Sequence, residues 1–147
     1  MSARNIAILI AVVALVLGAW YYSQPDPQTP TESAGTAAKT GAPLAEVTLP
    51  ETLNANATLG KRAFEAKCAQ CHGVNAAGQD GVAPPLVHVI YEPGHHGDEA
   101  FQRAAAQGVQ AHHWPFGNMP PVADITRAEV GMIIAYIREL QAANGIR

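Results

Sequence analysis

The sequence has few cysteines, few charged residues and no excess of positive charge. Its 147 residues include only two cysteines, and both stand in one short motif, so no separate structural disulfide is available. Charged residues make up 14% of the chain and the formal net charge is −3. This balance argues against nucleic acid as a partner, because nucleic-acid-binding proteins carry a basic face. No stretch shows the alternation of a half-buried strand, and we find no internal repeat. Abundant alanine instead suits a small helical domain.

Residues 68–72 read C-A-Q-C-H and contain both cysteines. This is the attachment motif of a c-type haem, in which two thiols add across the vinyl groups and the next histidine ligates the iron. A zinc site would need two further Cys or His ligands at finger-like spacing, and no second C-x-x-C exists. A thioredoxin-like redox pair would stand in a βαβ context, whereas Ala-rich helical sequence surrounds this motif. The motif therefore predicts one covalently attached haem c.

Residues 6–22 form an unbroken apolar or aromatic run, with Arg4 before it and no other charge until Asp26. A helix of this length reaches about 25 Å, at the short end of what spans a bilayer. Residues 20–22, W-Y-Y, stand where an interfacial aromatic belt belongs. A cleaved signal peptide is the alternative, but residues 16–18 match a cleavage site poorly. We favour an uncleaved single-pass anchor. Both interpretations place the remaining chain outside the cytoplasm, where bacteria attach c-type haem.

Residues 23–57 are rich in Pro, Thr, Ala and Gly and have no apolar periodicity. They predict a linker that is disordered or partly extended. If it is flexible, its root-mean-square reach is about 30–35 Å. The predicted organisation is thus an N-terminal anchor at residues 1–22, a linker at residues 23–57 and a folded domain at residues 58–147.

Three helices are predicted in the folded domain. The first runs from about residue 59 into the C-x-x-C-H motif, with Thr58 as the candidate N-cap. The second covers about residues 99–107, with Asp98 as the candidate N-cap and Gly108 as the C-terminal stop.

The third helix has the clearest sequence pattern. Thr126 and Glu129 form a capping box, and Asn144-Gly145 ends the helix. Its apolar residues recur at helical spacing and form one face: Val130, Ile133, Ile134, Ile137 and Leu140.

The occupant of the sixth iron position decides the function, and Met119 is the favoured candidate. It stands in residues 116–121, F-G-N-M-P-P, a rigid loop between the second and third helices. Met132, by contrast, lies in the capped helix and is interpreted as core or surface filler. A thioether is a soft ligand that favours ferrous iron and raises the reduction potential. His112 or His113 as the sixth ligand, and an open iron, are the alternatives.

These motifs together resemble a class I cytochrome c over about residues 57–145. The resemblance implies an all-α fold of three to four helices around one haem. It also implies the roles of the following residues: Cys68 and Cys71 as thioether anchors, His72 as proximal ligand, Met119 as distal ligand, and Pro84 and Leu86 as the Pro-x-Leu segment. In this family the proline carbonyl accepts a hydrogen bond from the proximal imidazole. Gly60 and Phe64 resemble the positions where the first helix crosses the last, with Tyr136 as the expected partner.

Four histidines depart from the pattern of a bare electron carrier: His95, His96, His112 and His113. The interpretation favoured from sequence is a polar rim around the haem crevice. A second metal is the alternative, because imidazole suits copper and zinc. Trp114 and Phe116 are expected to wall the distal side.

The predicted function is electron transfer in the periplasm rather than enzymatic catalysis, because filled axial positions leave the iron no site for a substrate. From Leu44 onward the chain contains 7 Lys or Arg and 10 Asp or Glu, so a strongly basic docking surface is not indicated. The resemblance and the anchor imply membrane redox complexes as partners, a quinol-oxidising complex as donor and a terminal oxidase or reductase as acceptor. The alternatives are a ligand-binding or sensing haem protein, and a haem subunit fixed in a larger oxidoreductase.

Overall fold

The computed structural model describes residues 3–22 and 41–147, which belong to two separate units. The first unit contains α1 (Ala3–Tyr22), which covers the apolar run predicted to cross a bilayer. Within the described ranges, no helix combines the length and the hydropathy that a membrane crossing requires. The prediction of a transmembrane helix at residues 6–22 is therefore not supported.

The predicted linker falls partly outside the described residues. Residues 23–40 lie there, whereas residues 41–54 belong to the second unit and form neither helix nor strand. The backbone N–H groups of Leu44 and Ala45 both donate to the Ala77 carbonyl at 3.0 Å. Thr48 and the Asn144 side chain exchange two hydrogen bonds of 2.9 and 2.8 Å. This segment is thus held against the helical unit well before residue 58.

The first helix of the second unit begins earlier than its predicted start. It is α2 (Ala55–Lys67), and Asn54 is its N-cap because the Asn54 side chain accepts a hydrogen bond from the Ala57 N–H. Thr58, predicted as the cap, lies inside the helix, and its hydroxyl donates to the Asn54 carbonyl at 2.9 Å. Asn is preferred over Thr as an N-cap residue, which agrees with the observed start at Asn54.

The chain then continues through a short helix and two 3₁₀ turns. These elements are α3 (Ala69–His72), Val74–Ala76 and Val89–Tyr91. The next helix is α4 (Asp98–Gln107), capped by the Gly97 backbone. Asp98, predicted as that cap, instead accepts a hydrogen bond from Arg138 Nε at 3.0 Å. Gly108 ends α4 as predicted, with a φ of +76°.

The last helix, α5 (Arg127–Ala143), confirms the predicted capping box between Thr126 and Glu129. All five residues of its predicted apolar face are buried. An all-α fold is confirmed for the described ranges, which contain two isolated β-bridges and no strand.

The centre of this unit is the crossing of α2 over α5. A Cβ added at Gly60 would lie 1.8 Å from the Met132 carbonyl oxygen, so the two backbones are nearly in contact there. One turn further on, the Phe64 and Tyr136 rings pack with centroids 5.7 Å apart. The predicted contact of the first helix with the last is therefore confirmed. The buried apolar cluster around it contains Ala57, Phe64, Ala76, Leu86, Val87, Ile133, Tyr136, Ile137 and Leu140.

Candidate functional site

A cavity of about 690 Å³ lies between α3, α4, α5 and the loops that join them. Its volume falls within the range of pockets that hold a small molecule or cofactor. Among the described residues that line it, Arg103 alone carries a formal charge. Apolar residues of the α5 face form one wall, namely Val130, Ile133, Ile134 and Ile137. The face predicted as core therefore also shapes this cavity.

The C-x-x-C-H motif opens onto the cavity with all three of its functional side chains, Cys68, Cys71 and His72. Cys68 is half-buried and Cys71 is exposed. Cys68 separates α2 from α3 with φ −118° and ψ −33°, so the two helices are not continuous. Burial, followed by the neighbouring Cys71, raises the pKa of the Cys68 thiol to about 11. Reactive redox cysteines have lowered thiol pKa values, so this environment does not favour a dithiol redox pair.

His72 is buried and its ring is oriented by one hydrogen bond. Its Nδ1 lies 2.9 Å from the Pro84 carbonyl oxygen, to which it donates. Burial lowers the pKa of His72, and the bond to Pro84 acts in the opposite direction. With Nδ1–H engaged, the lone pair is on Nε2, the atom left free to bind a metal. This is the hydrogen bond that the resemblance implies, and Leu86 lies buried in the same cavity wall.

The loop that carries Pro84 is tied to the motif by residues that the sequence analysis did not single out. The Gln79 side-chain amide donates to the carbonyls of Gln70 and Cys71 at 2.7 and 3.0 Å. Gly78 has a φ of +75°, and a Cβ there would lie 2.5 Å from Pro85 N. Only glycine fits this backbone, because the position is both left-handed and in contact with the next segment. Glycine and glutamine in a loop give little sequence indication of such contacts.

Met119 lines the same cavity and is half-buried. Its backbone pairs with Val109 through two hydrogen bonds of 2.9 Å. A Cβ at Gly108 would lie 2.4 Å from the Met119 carbonyl oxygen, so the end of α4 touches the methionine loop. The Asn118 side chain also accepts a hydrogen bond from the Ala111 N–H at 2.9 Å. The loop that carries Met119 is therefore held in place by the residues that directly follow α4.

Two aromatic residues line the cavity beside the methionine loop. Trp114 and Phe116 stack with centroids 5.9 Å apart and an interplanar angle of 11°. Trp114 Nε1 is buried, and its partner among the described residues is Tyr91: burial raises the pKa of the Tyr91 hydroxyl, and a hydrogen bond from Trp114 acts in the opposite direction.

The four additional histidines lie at one edge of the site. His96, His112 and His113 are among the lining residues, whereas His95 is not. His112 is exposed, and its Nδ1 donates to the Gln110 carbonyl at 2.7 Å. The rings of His112 and His113 lie 4.3 Å apart, centroid to centroid.

The residues present fit a covalently attached haem. Two thiols, a neutral imidazole and a thioether line one largely apolar cavity. Haem c is attached through two cysteine thiols, and its iron accepts imidazole and thioether ligands. Cys68, Cys71 and His72 would hold it, and the Met119 thioether is available to the iron.

Comparison with known proteins agrees with this fit. The family model for cytochrome c matches residues 57–141, more than half of the chain. No curated protein and no solved structure matches the chain significantly. Members of the family bind a covalently attached haem c and transfer electrons with it, and the C-x-x-C-H motif of this chain meets that requirement. The chain therefore belongs to the cytochrome c family.

Proposed function

We propose that this protein is a mono-haem electron carrier of the class I type, with His72 and Met119 as the two axial ligands. The observation that carries the proposal is that both side chains line one apolar cavity beside the thiols of Cys68 and Cys71. With both axial positions filled, no substrate can bind the iron, which leaves electron transfer as the activity.

The chain's own residues would keep both axial ligands in place while the iron changes between its ferric and ferrous states. A haem c bound here supplies an iron that gains and loses one electron. The bond to Pro84 fixes the His72 ring, and the contacts of Gly108 and Val109 fix the Met119 backbone. Rigid ligands reduce the rearrangement that accompanies each transfer. The apolar wall excludes water and, together with a thioether ligand, favours the ferrous state.

A redox partner would approach where the motif reaches the surface. Cys71 is exposed and Val82, which lines the same cavity, is 38% exposed. Because the lining contains a single formal charge, that of Arg103, we propose docking through an apolar rim rather than through a basic face. Charge pairs would then add little to the encounter rate.

Location and partners follow from the family and from the chemistry of haem attachment. We propose that the haem domain works in the periplasm, where bacteria attach c-type haem. We further propose that it carries electrons from a quinol-oxidising complex to a terminal oxidase or reductase. Net negative charge at the haem domain is compatible with partners whose docking sites are apolar or weakly basic.

Replacing Met119 by leucine tests the distal ligand. This change removes the thioether but nearly conserves the volume, so the cavity wall stays filled. Axial ligands set haem potentials over about 0.8 V, and we expect the midpoint potential to fall by on the order of 0.1 V or more. Haem should stay attached through denaturation, because both thiols remain. Potentiometric titration and a denaturing gel stained for haem give the two measurements.

Met132→Leu is the matched control, since Met132 is a half-buried methionine of α5 outside the cavity lining. Its midpoint potential should equal that of the unmodified protein. Equal potentials for the Met119 variant and the unmodified protein would contradict the proposed ligation.

A further inference from the structure

Three histidines from two separate loops converge at one edge of the haem domain. At least one ring nitrogen of each of His95, His96 and His113 lies within 4.8 Å of those of the other two. The ring centroids are 4.7 Å apart for His95 and His96, 5.3 Å for His95 and His113, and 5.2 Å for His96 and His113. A zinc ion bound at about 2.0–2.1 Å from each nitrogen brings its ligand nitrogens to about 3.4 Å from one another, so rotation of these side chains would close the three rings around one ion.

His96 is already oriented as a metal-ligating histidine would be. Its Nδ1 donates to the Ile90 carbonyl at 2.6 Å. A hydrogen bond from one ring nitrogen to a carbonyl fixes the tautomer and leaves the lone pair on the other, a pattern found at most histidine–metal sites. The Nε2 atom of His96 is therefore the free ligand atom.

The two loops that carry these histidines are held by other contacts. Arg138 donates to the carbonyls of Tyr91 and His96 at 2.7 Å each, which pins the first loop to α5. The second loop is fixed by the bond between Ala111 and Asn118 and by the pairing of Val109 with Met119. The backbone of both loops is thus held by hydrogen bonds that do not involve the side chains of the three histidines.

The surroundings of His113 also suit a metal ligand. Desolvation, followed by the neighbouring histidines 112, 96 and 95, lowers the pKa of His113. A lowered pKa favours the neutral form of the His113 ring, and neutral imidazole is the form that binds metal ions.

We propose that His95, His96 and His113 bind one divalent zinc or copper ion. Three imidazoles with no thiolate suit these two metals, and three protein ligands leave the fourth position for water. Cu²⁺ should bind more tightly than Zn²⁺, in the order that nitrogen ligands generally follow. This proposal is independent of the ligation of the haem, since it uses neither His72 nor Met119.

The test is a titration of the haem-loaded, ferric protein with Zn²⁺, followed by isothermal calorimetry and by metal analysis after dialysis. Zn²⁺ has no redox chemistry, and the ferric state offers Cu²⁺ no electron in the parallel titration. We expect one ion per chain. Loss of an outer hydrogen-bond partner alone costs 10- to 100-fold in metal affinity, so His113→Ala and His96→Ala should each weaken binding more than about 100-fold.

His112→Ala is the matched control, because His112 is an exposed histidine next to His113 but outside the triad. It should retain one ion per chain with an affinity changed less than about tenfold, well below the loss expected for a ligand. Zn²⁺ should also raise the haem midpoint potential, because His96 and His113 line the haem cavity and a cation there disfavours ferric iron. His113→Ala should abolish this shift. Equal affinity in the His113 and unmodified proteins, or an equal loss in the His112 variant, would overturn the proposal.

Discussion

A protein carrying both Cys68→Ser and Cys71→Ser is expected to contain no covalently attached haem and to lose most of its folded structure. Serine hydroxyls do not form the thioether bonds, so any haem that enters is released in denaturant. The loss of fold is expected because the apolar residues that line the cavity of about 690 Å³ would face water instead of a porphyrin. Most domains are folded by only about 5–15 kcal/mol, so the loss of this apolar burial is a large fraction of the total stability.

Gln70→Ser is the matched control for this variant. Gln70 is the exposed middle residue of the motif. The control therefore introduces a serine into the same motif while both cysteine thiols remain. Its haem content on a denaturing gel and its far-UV circular dichroism should match those of the unmodified protein. Covalent haem in the double-serine variant would show that the attachment site is elsewhere.

Gly60→Ala is expected to destabilise the protein by more than about 3 kcal/mol, beyond the usual cost of overpacking a core. In an ordinary helix, this substitution would stabilise by about 1 kcal/mol, because alanine has the higher helix propensity. Here the added Cβ would lie 1.8 Å from the Met132 carbonyl oxygen, and that atom belongs to the backbone of α5. The two helices must separate, which also disturbs the packing of Phe64 on Tyr136.

Gly131→Ala gives a control with the opposite expected sign. Gly131 is exposed on α5, and the nearest atom to an added Cβ is Gln102 Nε2 at 4.0 Å. We expect this variant to be more stable by about 0.5–1 kcal/mol. Denaturant unfolding of both haem-loaded variants, followed by circular dichroism, gives the free energies. A neutral or stabilising effect at Gly60 would contradict the close crossing of α2 and α5.

Local patterns in the sequence predicted those parts of the structure that depend on near neighbours in the chain. The capping box of Thr126 and Glu129, the stop at Gly108 and the apolar face of α5 all follow from contacts within a few residues. The predicted start of α2 lies a few residues after the observed one, because Asn54 and Thr58 are both acceptable N-cap residues.

Contacts between distant segments were not predictable in the same way. Residues 41–54 have the composition of a linker, yet their backbone groups bond to Ala77 and Asn144. Arg138 orders the loop of His96 by binding carbonyl oxygens, which every residue type carries. The sequence contains two histidine pairs, at residues 95–96 and 112–113, whereas the structure groups the first pair with His113 alone. That grouping depends on how two loops approach each other, and no local pattern encodes it.

The most direct test of the proposed function is the optical spectrum of the ferrous protein before and after addition of carbon monoxide. If His72 and Met119 fill both axial positions, the spectrum should stay unchanged, because the gas finds no free position on the iron. Only the Met119→Leu variant should respond, while Met132→Leu should not. A rapid and complete spectral change in the unmodified protein would contradict the electron-carrier account and would favour a haem protein that binds or senses a ligand.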